Sequence, residues 1–383
     1  MSVIKTKTIL YICSEAAPGL VAYATSILLA ASGSEHLIVH AITVDDKHHS
    51  YRPYLFKLPG DKIRWMQTPE KRFEKIRNKL YAANLLREVK KICSRYKIDI
   101  IHLLTVDYTC ATIFAQLKKI CPVYYTVHDV VPHEKAYTSF KDYFFSKYIR
   151  WGVKRMMQKS DFLVTNSQSQ YRVIKAMFSN KNIYFQLFPP LITAPILSGS
   201  KICPELIDCD KYVLFFGNID KYKGVEYLYE AFLSNPQLHD YKLVIAGKGS
   251  IYFPHSDHPH VLFINRYIAD EEVKSLFTRS SCVVYPYISA TQSGVLTIAY
   301  KFQTPALVSE IPYFREVSDN NCALFFNRAD AGDLSDKLET LLFRTDINEM
   351  KKAQKKYFEA HNSEKAMIAS TEKLYIVENE KIM

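Results

Sequence analysis

Short runs of consecutive apolar residues alternate along this chain with longer stretches in which apolar positions recur at helical spacing. The short runs predict strands at Thr8 to Cys13, His36 to Ile42, Ile63 to Gln67, Asp99 to Leu104, Val123 to Val127, Phe162 to Thr165 and Ile183 to Leu187. A second series follows at Tyr212 to Phe216, Leu243 to Ala246, Val261 to Ile264, Cys282 to Tyr285, Ala306 to Val308 and Ala323 to Phe325. Helical patterns fill the intervals, and that alternation predicts an α/β fold of doubly wound parallel sheets, whose strands are apolar on both faces. Pro189-Pro190 through Pro195, then Ser198-Gly199-Ser200, interrupt the alternation at midchain and predict a linker. No internal repeat or low-complexity tract is visible.

Two strand-to-helix junctions in the second series carry candidate chemistry. At the first, Val213 to Phe216 runs into Gly217, and after a short polar loop Lys223-Gly224 opens a helix with apolar Val225, Leu228 and Phe232. The free amides of a helix start favour an anion, and Lys223 adds a full positive charge. The alternative is an ordinary junction with a solvated lysine. At the second, Cys282 to Pro286 is followed by Ser289-Ala290-Thr291-Gln292-Ser293-Gly294-Val295 and the apolar run Val295, Leu296, Ile298, Ala299, Phe302. With no Cβ at Gly294, backbone amides and the hydroxyls of Thr291 and Ser293 can approach a ligand closely; the alternative is a plain Ser/Thr helix cap. Ligands of open α/β sheets sit outside the carboxyl ends of the strands, where both junctions fall.

From about Lys211 to Asp336 these elements, with Leu243-Val244-Ile245-Ala246-Gly247-Lys248-Gly249, the helix Asp270 to Ser280, Tyr285-Pro286, Thr304 to Ser309 and Glu316-Val317, resemble the donor-binding domain of family 4 retaining glycosyltransferases. The amino-terminal half is similar in Pro18-Gly19, Asp99 to His102, Tyr125 to Asp129 and Asp161 to Ser167. The resemblance implies the GT-B architecture: two doubly wound parallel-sheet, Rossmann-like domains facing a cleft. Residues 1–192 would bind the acceptor, residues 193–363 the nucleotide sugar, and a last helix within about 364–383 would cross back onto the first domain. It implies donor contacts from Gly19, Gly217, Asn218, Lys221, Lys223, Gly224, Gly247, Thr291, Gln292, Ser293, Gly294, Val295 and Glu316, with His128 against the transferred sugar and Lys223 on the leaving diphosphate. Asn218 stands where most of the family has an arginine, which leaves Lys223, helped by Lys221, to balance the diphosphate. Ala290 and Ile298 stand at the family's glutamate pair; one branch of the family is similar in carrying a Thr-Gln-Ser-Gly-Val element instead. The usual Gly-x-Pro is Gln303-Thr304-Pro305 and the usual Gly-Gly is Pro312-Tyr313, so backbone conformations that favour glycine are expected to be absent there.

The residues of three further positions leave two readings each. His128 ends an apolar strand at the carboxyl edge of a sheet, as a site residue or as a histidine bonded to nearby backbone. Glu316 is an acidic donor contact or a surface carboxylate capping a helix. His255, Asp257, His258 and His260 look like metal ligands in a row, yet they sit in a Pro-containing loop without a cysteine or glutamate partner, and no metal is expected.

The chain's 383 residues, 48% of them hydrophobic, suffice for two cores. No apolar run approaches the roughly 20 residues of a membrane helix, and the start reads as no signal peptide. Eight cysteines without a Cys-x-x-Cys pair favour a reducing cytoplasm. Residues 1–192 hold 29 Lys and Arg against 14 Asp and Glu, a net of +15, and the remainder is net negative. Much of that charge lies in Lys71 to Lys97 and in Lys135 to Lys159, where Lys135, Lys141, Lys147, Arg150, Lys154, Arg155 and Lys159 interleave with Phe140, Phe144, Phe145, Tyr148, Ile149, Trp151 and Met156. Such a helix lies on an anionic inner leaflet, or packs its apolar side on its own sheet and exposes solvated lysines. Nucleic acid is disfavoured, because no recognition motif accompanies the charge.

The expected activity is therefore metal-independent, cofactor-free transfer of a sugar, with retention, from a nucleotide diphosphate donor to a glycan or lipid-linked acceptor in cell-surface polysaccharide synthesis. A catalytically inactive nucleotide-sugar-binding partner is the alternative. A dinucleotide oxidoreductase is disfavoured, since Cys13 to Gly19 lacks a Gly-x-Gly-x-x-Gly turn.

Overall fold

In the computed structural model, residues 5–45, 50–67, 74–130, 140–318 and 321–376 are described. The chain divides into two compact units, Met1–Pro189 with Glu364–Met383, and Pro190–Ser363. The boundary falls slightly ahead of the expected residue 192. The reason is local: the Leu191 N–H donates to Thr297 Oγ1 and the Leu191 side chain fills the space beside Gly294, which ties this stretch to the second unit.

The first unit is a seven-stranded sheet made of β1 (Lys7–Cys13), β2 (Leu37–Val44), β3 (Ile63–Met66), β4 (Ile100–Leu103), β5 (Val123–Thr126), β6 (Phe162–Thr165) and β7 (Asn182–Phe185). Every pairing is parallel, in the order β3-β2-β1-β4-β5-β6-β7. β1 is fully enclosed from Ile9 to Cys13, which explains why the strand reads as an unbroken apolar run. The carboxyl-terminal helix Glu364–Tyr375 packs in this unit: Ser370 Oγ accepts from the Leu187 N–H at 3.0 Å, Gln186 Nε2 donates to Thr371 Oγ1 at 3.2 Å, and the Tyr375 hydroxyl meets His102 Nδ1.

The second unit repeats the plan in six strands: β8 (Tyr212–Phe216), β9 (Lys242–Ala246), β10 (Val261–Ile264), β11 (Cys282–Tyr285), β12 (Ala306–Ser309) and β13 (Leu324–Phe326), in the order β10-β9-β8-β11-β12-β13, all parallel. In each sheet the order reverses beside the first strand, between β1 and β4 and between β8 and β11, which makes the carboxyl ends of those strands the place for a ligand.

One sequence expectation is corrected here. Gln303 does take the left-handed conformation, with φ +53°, as the carboxyl cap of the helix Val295–Phe302. Its N–H closes onto the Tyr300 carbonyl, so the cap is kept without glycine at a cost of roughly 1–2 kcal/mol. At Pro312 the expectation holds, because this proline opens the short helix Pro312–Val317 and Tyr313 is helical.

Candidate functional site

In the second unit the chain leaves β8 through Gly217 (φ +142°) and β9 through Gly247 (φ +148°). A Cβ on Gly247 would stand 2.0 Å from the Gly217 carbonyl oxygen, and one on Gly249 2.1 Å from that of Ile219. The two backbones run on in contact beyond the sheet, with the Gly217 N–H on the Ala246 carbonyl and the Ile219 N–H on that of Lys248. Only glycine permits this approach. Gly247 is thus required by packing, a role its place in the donor set did not anticipate.

After Gly217 the loop carries exposed Asn218 and turns at Asp220, whose carboxylate accepts from the Lys221 N–H at 2.7 Å. Lys221 is exposed, but Lys223 is buried. Its Nζ lies 3.7 Å from the centre of the Tyr287 ring and 4.8 Å from that of Tyr222. The aromatic faces attract the cation but do not neutralise it. Among the described residues Lys223 has neither a carboxylate at ion-pair distance nor a hydrogen-bond acceptor, and burial draws its pKa from 10.5 down to about 7. The solvated-lysine alternative is excluded: this is a desolvated amine beside a helix start. Gly224 follows in the left-handed conformation (φ +63°), where a Cβ would meet the Pro286 carbonyl oxygen at 2.1 Å, and opens the helix Val225–Leu233.

That contact joins the two junctions. The Ile288 N–H donates to the Tyr222 carbonyl at 2.9 Å, Tyr287 lies over Lys223, and the Tyr287 hydroxyl meets Ser293 Oγ at 3.5 Å. The Ser293 carbonyl accepts from the Tyr313 hydroxyl at 3.3 Å. Lys223, Gly224 and Ser293 are therefore brought to one place by Tyr287, a residue that sequence reasoning missed although it directly follows Tyr285-Pro286. Gln292 is half-buried and its Nε2 has no acceptor among the described residues. Thr291 and Val295 are half-buried in the same loop. Gly294 corrects an expectation: the space of its missing Cβ is filled by Leu191, 2.1 Å away, so the glycine admits a side chain of the protein rather than a ligand. Ile298 is packed in the core and Ala290 half-buried at its edge, so the family's glutamate positions present no carboxylate. Glu316 is half-buried near the end of the helix Pro312–Val317.

In the first unit, Gly19 opens the helix Pro18–Ser32, whose cap residue Ala17 supplies no side-chain hydrogen bond. Among the described residues, its chain neighbours and its own helix backbone aside, nothing lies within 4 Å of where a Gly19 side chain would begin. One turn on, the Tyr23 ring stands edge-on to His128 at 4.7 Å, which links this helix start to the end of β5. His128 Nε2 is 3.0 Å from the Leu104 carbonyl oxygen; a carbonyl only accepts, so Nε2 carries the proton and Nδ1 is left as an acceptor. Burial holds this imidazole's pKa below the ordinary histidine value. Sequence reading also missed two buried acids here. Asp107 crosslinks the ends of β1 and β4, accepting from the Ser14 and Thr105 N–H groups and both their hydroxyls. Glu15 beside it has an Oε1 with no hydrogen-bond partner among the described residues, and burial, reinforced by Asp107, pushes its pKa up to about 8.

His258 and His260 of the histidine row pack as rings against His239. His239 stacks on His260 at 4.8 Å, with His258 5.8 Å from His239, and among the described residues no group of three or more His, Cys, Asp or Glu is arranged to hold a metal ion.

Comparison with known proteins agrees with this fold. Residues 20–184 match the family model described as Glycosyltransferase Family 4, and residues 210–344 the model described as Glycosyl transferases group 1. Both halves are glycosyltransferase domains. The GT-B architecture is shared with the Anabaena HepE structure in complex with UDP and glucose, at 13% identity and a TM-score of 0.66, covering 96% of this chain and 98% of that one. Sucrose-phosphate synthase from Thermosynechococcus elongatus is similar over 96% of this chain and 98% of its own at 16% identity, with a TM-score of 0.66. A glycosyltransferase from Rickettsia africae is similar over 98% and 99%, at 15% identity and a TM-score of 0.64. Comparison with curated protein sequences gives no match.

Proposed function

We propose that this glycosyltransferase takes its sugar from a nucleoside diphosphate donor held by the second domain and transfers it, with retention, to a hydroxyl of a glycan or lipid-linked acceptor held by the first. The observation that carries this reading is Lys223, a buried amine that has no carboxylate at ion-pair distance among the described residues and lies beside the helix start at Gly224. As the bond from the sugar's anomeric carbon to the diphosphate oxygen breaks, negative charge grows on the leaving group, and Lys223 stabilises it most when the bond is fully broken. The acceptor hydroxyl forms the new bond on the face the diphosphate leaves, and its proton passes to the departing phosphate oxygen. His128 Nδ1, an acceptor, suits a hydroxyl of the transferred sugar. No step requires a metal.

A peripheral place at an anionic inner leaflet, in cell-surface polysaccharide synthesis, is part of the same reading. The helix Phe140–Lys159 buries Met156, Met157 and Gly152, the last against Tyr108, and presents Phe144, Lys147, Trp151 and Lys154 at helical spacing on an exposed stripe. Both sequence alternatives are thus supported, on different faces. Lys71, Lys135 and the side chain of Lys141 lie outside the described residues. No helix among the described residues is long and apolar enough to cross a membrane.

The test is a panel of nucleotide sugars, followed by release of nucleoside diphosphate and sugar transfer, with and without excess chelator. Donor-specific turnover that survives the chelator is expected. Binding without turnover on any acceptor favours the inactive partner, and metal-reversible loss argues against the leaving-group role of Lys223.

A further inference from the structure

We propose that diphosphate binding to the second domain draws a proton onto Lys223, so that the amine is partly neutral in the empty site and fully protonated in the occupied one. The inference rests on the reading of Lys223 as the diphosphate contact. Geometry carries it. The Nζ is enclosed by Tyr287 from the β11 loop and Tyr222 from its own turn, at 3.7 and 4.8 Å from the ring centres. The other ionisable groups of the surroundings do not supply a counter-charge. Asp220 raises the lysine's proton affinity only as a secondary influence, and its carboxylate is taken up by the Lys221 N–H. Glu226 on the following helix is bonded to the Tyr252 hydroxyl, and Lys221 is exposed. Tyr287 and, behind it, Tyr313 are neutral phenols whose pKa values burial raises further.

A cation enclosed in this way lacks solvent and an anionic partner, which is why the amine gives up its proton near neutrality. A phosphate oxygen entering the site supplies the missing charge. The amine then binds a proton from solution and forms a charge-assisted hydrogen bond to that oxygen. Bond cleavage adds negative charge to the diphosphate and strengthens the pair, and the proton returns to solution when the diphosphate leaves.

The sign follows from linkage. The free site's pKa is about 7 and the occupied site's is higher, so above pH 7 affinity falls as pH rises, by up to about ten-fold per pH unit for one proton. The experiment is calorimetry of the full chain with UDP, GDP, ADP and dTDP at about pH 7.5 and about pH 9, where the phosphates are already ionised. Each titration is repeated in two buffers of different ionisation enthalpy, which counts the protons taken up. We expect weakening of roughly ten-fold or more between these pH values, with uptake approaching one proton. In Lys223→Arg, whose side chain stays charged, both effects should vanish. Equal affinity at both pH values with no proton uptake overturns the inference and leaves the donor reading standing. Persistence of the pH dependence in Lys223→Arg also overturns it, by assigning the proton to another group. If no diphosphate binds at about pH 7.5, the donor reading falls and this inference with it. Where Lys223→Arg does not fold, the proton count on the unaltered chain decides.

Discussion

The carboxyl edges of the two sheets are built from the same topology and opposite chemistry. In the second domain the loops are knitted by backbone contacts at Gly217, Gly247 and Gly249, and they enclose a lysine with no counter-charge. In the first, a buried acid, Asp107, ties the strand ends, Glu15 and His128 stand beside it as largely neutral groups, and the helix start at Gly19 is open. The difference teaches how one topology can carry two chemically unlike edges. One edge holds a buried amine by tight backbone packing, whereas the other is tied by hydrogen bonds to a buried acid.

The largest effect should come from the glycines that distinguish the two edges. Gly247→Ala forces a Cβ to 2.0 Å from a carbonyl oxygen at φ +148° and should destabilise the protein by about 3 kcal/mol or more in urea denaturation. Gly19→Ala meets empty space, so it should change stability by about 0.5 kcal/mol or less. Equal effects would erase the contrast between a knitted and an open edge.

An intermediate effect is expected from Glu15. Its pKa is raised by folding from 4.5 to about 8, so the folded state binds more protons than the unfolded one between those values. Glu15's contribution to stability should therefore fall as pH rises through that window and level off above it. Glu15→Gln should remove most of this slope in denaturation curves taken across the range. An unchanged slope would mean that Glu15 is not the buried acid that marks the first edge.

The smallest effect concerns the first domain's exposed helix. Each lysine or arginine near an anionic surface contributes about 1 kcal/mol, and the attraction fades as salt rises. Sedimentation with phosphatidylserine vesicles should show binding at low salt, weakened when Lys147, Arg150, Lys154 and Arg155 become glutamine and when Phe144 and Trp151 become serine. If the chain ignores such vesicles at low salt, the docking idea fails and a soluble acceptor becomes the better reading.

Much of this was legible in the residues. Strands such as Phe162–Thr165, Tyr212–Phe216, Val261–Ile264 and Cys282–Tyr285 fall where the apolar runs predict them, because strands of a parallel sheet are buried on both faces. The Lys223-Gly224 junction was legible because strand, glycine, lysine and helix are consecutive. What was not legible depends on residues far apart in sequence. Leu191 fills the space at Gly294, Tyr287 covers Lys223, and Ser14 and Asp107 meet only once β1 and β4 pair. Gln303 in a left-handed cap shows the converse, with tertiary packing overriding a local preference for glycine.

The account rests most heavily on Lys223 as the cation of the leaving group. Its direct test is turnover of the accepted nucleotide sugar by Lys223→Ala, with folding verified by its melting curve. One charge-assisted contact to the diphosphate contributes roughly 1.5–3 kcal/mol, so transfer should drop at least ten-fold. Turnover equal to that of the unaltered protein would contradict the account and move the diphosphate elsewhere.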